Sequence, residues 1–340
     1  MKCRGKNLDL ASEFRLDLSH GPRVNVNEEV VKEFAQHLRL KLTGKEARPF
    51  EWRDPEIFLE DDKGKEDVSQ FFAIGNSINF RYWLTTDERK YCEGSKGGKP
   101  FRGAEYMWRC LKICCDDTMY PILEAPALAT MKISDARAIF RDDNGKTVMP
   151  KVEERVANWR DLGCKLRDYW SGHFFNLVQE TQESRSLKLF VNLSRQFRAF
   201  DDPLCKMTMV NAIMHRGRGI ADFDEPLFPG MDYQLLKQQI RNGILEPNSK
   251  MGTKITRGEL LSSEESSELR SAGLAAFLSI MRTTDIPGDV LDNTWWSNRK
   301  KCTTRNPVCK IPGKESQCFF YGICRERTEF LIPIEETRYY

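Results

Sequence analysis

Between Lys151 and Trp170 the apolar residues Val152, Val156, Trp159, Leu162, Leu166 and Tyr169 recur at spacings of three and four. That period describes a helix with one buried face. It returns in "EESSELRSAGLAAFLSIM", where Leu269, Ala272, Ala276 and Ile280 share a face and Ser262 with Glu265 forms a capping box ahead of them. "EEVVKEFAQHL" opens another helix: Asn27 is its N-cap, Glu28 and Glu29 favour the first turn, and Val26 staples against Val31. Gly94, Gly97, Gly98 and Gly103 mark a loop before the helical pattern "AEYMWRCLKICC". Ser134 is the expected cap of a helix through "DARAIFRDDNG" that ends at Gly145. Period alone leaves "FFAIGNSINFRYW" (71–83) open between a buried helix and a short extended segment. With no alternation of strands and helices, no internal repeat and no low-complexity linker, an all-α body is favoured over a doubly wound sheet.

A chain of 340 residues can bury a large core, and one compact body is expected. An apolar fraction of 40% with 30% charged residues sets it apart from disordered chains and membrane proteins. No run approaches the roughly 18 apolar residues of a membrane helix, and "MKCRGKNLDLASEFRLDL" lacks the apolar centre of a secretory signal. A cytoplasmic protein without a membrane partner is expected. The 53 basic residues are nearly matched by 50 acidic ones, and a net charge of +3 is too small to identify a nucleic-acid binder, although a local basic patch stays open. Eleven cysteines, with Cys114 and Cys115 adjacent, do not form the pattern of a secreted disulfide framework in a chain of this size.

The last four cysteines stand apart. In "CTTRNPVCKIPGKESQCFFYGIC" the gaps between Cys302, Cys309, Cys318 and Cys324 are six, eight and five residues. Loops of that size can wrap one ion or cluster, and four thiolates suit tetrahedral zinc or a [4Fe-4S] cluster. The run resembles the C-terminal cluster loop of endonuclease-III-type DNA glycosylases: its outer gaps match and its middle gap is longer. That resemblance favours iron–sulfur over zinc and implies a structural centre.

Longer segments resemble the queuosine salvage family, the queuosine 5′-phosphate N-glycosylases. They are "SINFRYW" (77–83), "ARAIFRDDNGKTVMPKVEERVANWRDLG" (136–163), "FFNLVQE" (174–180), "LCKMTMVNAIMHRGRGIADFDEPLFPGMDYQLLKQQIRNGIL" (204–245), "GELLSSEESSELRSAGLAA" (258–276) and "LDNTWW" (291–296). They run in order over residues 25–298. The resemblance implies a helical fold related to the helix-hairpin-helix DNA glycosylases over 1–298, followed by a cysteine-rich metal loop over 299–340.

Release of a base from a sugar builds positive, oxocarbenium-like charge on the sugar, so a carboxylate beside it is the minimum equipment. Asp232 in "PGMDYQLLKQQ" follows a Pro-Gly turn, opens a helix, and with Tyr233 matches the Asp-Tyr of the family's active site; an N-cap aspartate is the structural alternative. Asp292, flanked by apolar residues, is either a reader of a guanine-like base or a helix cap. Asp222 and Asp224 match an acidic pair that precedes the catalytic segment. "HRGRG" (215–219) offers Arg216 and Arg218 as a flexible anion cradle for a phosphate. Lys206 occupies the position of a family lysine and is a second phosphate candidate. Phe80, Tyr82 and Trp83 are either stacking platforms for the base or core residues.

The expected partner is a modified nucleotide or nucleoside. The basic stretch "WWSNRKKCTTRNPVCK" keeps nucleic acid open as an alternative, in which the enzyme acts on a 7-deazaguanine-type base in DNA or RNA. A base-binding protein without hydrolysis is the third alternative.

Overall fold

The computed structural model describes residues 9–42, 49–83, 92–116 and 120–339. They are mainly helical, with three short two-stranded pairs: Val24–Val26 antiparallel to Leu245–Pro247, Glu93–Lys96 antiparallel to Lys99–Arg102, and Leu260–Leu261 parallel to Ile334–Glu335. Contacts divide the chain into two compact units, one built from residues 1–50 and 226–336 and the other from 51–225 and 337–340. Residues 299–336 therefore share a unit with 226–298.

In the first unit, helix Glu28–Lys41 packs on helix Ser263–Thr284. Asn27 accepts from the Val30 amide, and the Ser262–Glu265 capping box is complete, so both helices start where their sequences predict. Their core is aromatic. Trp295 lies 4.4 Å from Phe320, 5.0 Å from Phe277 and 6.1 Å from Phe34 between ring centroids. Phe320 belongs to the cysteine-rich segment and is fully buried. That segment is thus stitched into the unit's core by apolar contacts.

In the second unit, helix Gly64–Asn76 is the central element and packs on helices Lys206–Gly217 and Phe174–Ser184. It takes up the first part of the ambiguous 71–83 run. Helix Val152–Tyr169 buries Val152, Val156, Trp159, Leu162 and Leu166 as the period predicts, while Tyr169 at its end is 71% exposed. Two expectations are corrected. The cap of the next helix, Ile133–Ile139, is Lys132, so Ser134 lies inside the helix, which stops well before Gly145. The glycine-rich segment is a β-hairpin: Gly97 and Gly98 have φ of +65° and +74°, the conformation that a tight two-residue hairpin turn requires.

His215 sits in the interior of this unit. Its Nδ1–H donates to the Asn211 carbonyl at 2.8 Å, which leaves Nε2 to accept from Ser69 Oγ at 2.9 Å. Burial pushes the imidazole down to about 4. A protonated His215 therefore belongs to the unfolded chain, where the group titrates near 6.5. Stability is whole above that pH and falls as pH drops toward 4, by about 3 kcal/mol in total. Urea midpoints of the parent chain are expected to fall more steeply between pH 6.5 and pH 4 than those of His215→Gln; equal slopes would remove this contribution.

Candidate active site

Asp232 is the N-cap of helix Tyr233–Asn242. Its Oδ1 accepts from the Gln234 amide at 2.8 Å and from the Leu235 amide at 2.9 Å. Capping uses one carboxylate oxygen, and the carboxylate stands at the positive end of the helix, where negative charge is favoured. The residues just before it are held on both sides. Asp292 Oδ2 accepts from the Gly230 amide at 2.9 Å, and Arg270 Nη1 donates to the Met231 carbonyl at 2.9 Å. Arg270 is in turn bonded to Glu335 through Nε (2.7 Å) and Nη2. The helix-cap alternative for Asp292 is corrected, because it lies within helix Gly288–Asn298, whose cap is Pro287, and braces the turn that presents Asp232.

That helix approaches the segment before the turn closely. A Cβ on Gly288 would lie 2.2 Å from the Leu227 carbonyl oxygen and 2.6 Å from the Phe228 Cα. Backbone cannot yield as a side chain can, so Gly288→Ala is expected to cost about 1–3 kcal/mol in urea unfolding and to lower activity by shifting Asp292. A stability loss below about 0.5 kcal/mol, the range of neutral surface changes, would contradict this close fit.

The other sequence candidates lie in the second unit, and several do something other than expected. Phe80 and Tyr82 are buried and stack against the Arg155 guanidinium, 4.3 and 5.3 Å from the ring centroids; Trp83 is buried too, under Arg81. They are core residues, not platforms for a base. Arg218 does not sit in a flexible cradle: helix Lys206–Gly217 runs through "HRG", and the Arg218 side chain donates to the Trp52 and Leu59 carbonyls at 2.9 Å and to Asp61. Arg216 lies 3.9 Å from Asp222. Asp222 and Asp224 converge on Arg185 at 2.7 and 3.0 Å with largely exposed side chains, a surface ion-pair cluster. Lys206 is buried, with Nζ donating to the Asn79 carbonyl at 2.6 Å. Asn79 Oδ1 also accepts from the Tyr82 hydroxyl at 2.9 Å, so Lys206 and Tyr82 meet at one residue.

Sequence inspection passed over Asp202. It is wholly buried and accepts from the amides of Leu204, Lys206 and Met207 at 2.9–3.1 Å, which anchors the start of the Lys206 helix. Burial raises its carboxyl above the usual range against those bonds. The available signal was "DDPLCK", an acid a few residues ahead of a helix start.

Residues 59–218 match the family model described as queuosine salvage protein. That segment is similar to the queuosine salvage family. A Bos taurus relative named queuosine 5′-phosphate N-glycosylase/hydrolase is 23% identical over 329 residues, covering 88% of this chain and 94% of its own. Relatives of the same name from Mus musculus and Nematostella vectensis are each 22% identical, over 72% and 75% of this chain and 80% and 76% of theirs. The solved 8-oxoguanine DNA glycosylase of Pyrobaculum aerophilum superposes with a TM-score of 0.47 at 16% identity, over 88% of this chain and 99% of that one.

Asp232 and the four late cysteines lie beyond the segment matched by the family model. Cys302, Cys309, Cys318 and Cys324 line a single cavity with Arg241, Asn242 and Asn298 among its other walls. None of the described cysteines is in a disulfide. As thiols, Cys318 and Cys324 face Asn298 Oδ1 (3.7 Å) and the Arg241 carbonyl (3.5 Å), and burial pushes Cys324 up to about 12. Among the described residues no group of three or more His, Cys, Asp or Glu side chains is placed to hold a metal ion. No described helix is long and apolar enough to cross a membrane.

Proposed function

We propose that this chain is an N-glycosidase that hydrolyses the base–sugar bond of queuosine 5′-phosphate or a related 7-deazaguanine nucleotide or nucleoside, with Asp232 as the catalytic carboxylate. The name shared by the three relatives supports the reaction, and the placement of Asp232 supports the residue. One of its oxygens is fixed by two amides, so the carboxylate cannot swing away as charge develops on the sugar. An anion held in place before the reaction stabilises an oxocarbenium-like transition state without reorganising. The second oxygen can orient a water for attack at the sugar carbon. Tyr233 follows directly and is buried, which confines the carboxylate from its helical side.

The test is incubation of the purified chain with queuosine 5′-phosphate and chromatographic detection of free base. Release of base, abolished in Asp232→Asn, is the expected result. Tight binding of the nucleotide without release, unchanged in Asp232→Asn, would replace the enzyme by a binding protein.

Action on a base inside DNA or RNA is favoured by one observation: Lys300, Lys301, Arg305 and Lys310 are all exposed around the cysteine-rich segment. If the substrate is nucleic acid, affinity for a modified duplex or single strand should fall steeply between 50 and 200 mM salt, roughly in proportion to the phosphates neutralised. Turnover of the free nucleotide that is insensitive to salt assigns the small substrate.

A further inference from the structure

We infer that Cys302, Cys309, Cys318 and Cys324 ligate an iron–sulfur cluster whose negative charge is balanced by two buried cations, Lys237 and Arg241, on the helix that begins at Asp232. This does not depend on the reaction proposed above.

The starting observation is a charge problem. Lys237 and Arg241 are each 1% exposed. Lys237 Nζ donates to Gln234 Oε1 at 2.9 Å. Arg241 donates to the carbonyls of Phe330 (2.8 Å), Thr303 (2.7 Å), Thr304 (3.1 Å) and Thr328 (3.1 Å), and through Nη1 to Cys302 Sγ at 3.5 Å. Among the described residues neither cation has a carboxylate at ion-pair distance, and Lys237 feels Cys302 and Asp232 only from farther off. Carbonyls satisfy hydrogen bonds but leave the charge uncompensated, and an isolated buried charge costs several kcal/mol. The missing anion must be close by, and the cavity beside Arg241 holds four ionisable thiols.

Neutral thiols do not solve the problem, and four bare thiolates overshoot it. A metal centre brings the balance into line, because it deprotonates its thiol ligands outright. Four thiolates around a doubly positive core leave two negative charges, which the two cations match. Single zinc and a four-iron cluster share that balance, but they differ in spread. A tetrahedral ion with sulfur at about 2.3 Å draws its ligands into one tight group. A cube interposes iron and sulfide between them, so the cysteines stand farther apart around a shared space. The four cysteines line one cavity, and the iron, sulfide and zinc content of the protein separates the two centres. Donors to sulfur complete the setting: Arg241 to Cys302, and the Glu326 amide to Cys324 Sγ at 3.3 Å.

The centre would act at a distance from the chemistry. The Arg325 and Arg327 amides donate to the carbonyls of Asn242 (3.4 Å) and Arg241 (3.2 Å), so the cysteine loop holds the end of the helix opposite Asp232. Its role is to fix that helix.

The full-length chain, purified without oxygen from iron-supplemented cells, should be assayed for iron, acid-labile sulfide and zinc and for visible charge-transfer absorption. About four iron and four sulfide per chain are expected, with both lost in Cys318→Ala. Lys237→Met should lower the reduction potential of the cluster and speed its loss in air, and Lys237→Arg should restore both. One zinc without iron, or no metal, overturns the cluster. A potential and lifetime unchanged in both Lys237→Met and Arg241→Gln overturn the counter-cation role. Should one of these variants fail to fold, the metal content of the parent chain and the potential of the other charge-removing variant still decide.

Discussion

Asp232→Asn is expected to fold as stably as the parent chain and to release base about 10²–10³-fold more slowly, the usual cost of removing a group that stabilises transition-state charge. Asparagine caps a helix about as well as aspartate, so the bonds from the Gln234 and Leu235 amides survive the change. Only the charge is lost. Asp232→Ala removes the cap as well, and should add a stability loss of about 1 kcal/mol to the same loss of rate. Single-turnover base release combined with urea unfolding separates the two effects. Parental turnover in Asp232→Asn would reduce Asp232 to a helix cap.

Arg270→Met should produce the largest loss of stability, about 3–5 kcal/mol, because it leaves one partner of a buried ion pair behind. The Arg270 and Glu335 side chains are 3% and 11% exposed, and the arginine also holds the Met231 carbonyl. Its loss strands the Glu335 carboxylate and frees the residue that precedes Asp232. Activity should fall in the fraction that remains folded. The double variant Arg270→Met, Glu335→Leu removes both charges and should recover much of the stability while leaving turnover low, since the Met231 brace stays absent. If the single variant loses less than about 1 kcal/mol, the range of an exposed pair, the pair is not a buried anchor.

Whatever depends on neighbours in the chain was legible in advance. The 152–169 helix, the Asn27 cap and the Ser262–Glu265 capping box are written within a few residues, and the structure has all three. Asp232 was legible for the same reason: a carboxylate after Pro-Gly and before an amphipathic run is both a cap and a candidate. Ser134 failed because a serine is equally at home inside a first turn when tertiary packing starts the helix two residues earlier. Gly97 and Gly98 failed because the glycines of a loop and of a hairpin look alike until the strands pair.

The polar site residues show where local pattern ends. Arg155 and Arg218 lie inside the second unit on carbonyls between 5 and 166 residues away in sequence, and Arg270 meets Glu335 across 65 residues. A basic residue in sequence carries no sign of whether its donors will find carbonyls, a carboxylate or solvent. By itself the chain determined a helical body, a carboxylate opening a helix after a tight turn, and four cysteines gathered between residues 302 and 324. Only the tertiary structure decided which charges are buried. It withdrew Arg218, Phe80 and Tyr82 into the core, set Asp292 and Arg270 as braces beside Asp232, and left Arg241 on Cys302 with Lys237 buried on the same helix, because desolvation and long-range hydrogen bonding act on the folded arrangement and not on the order of residues.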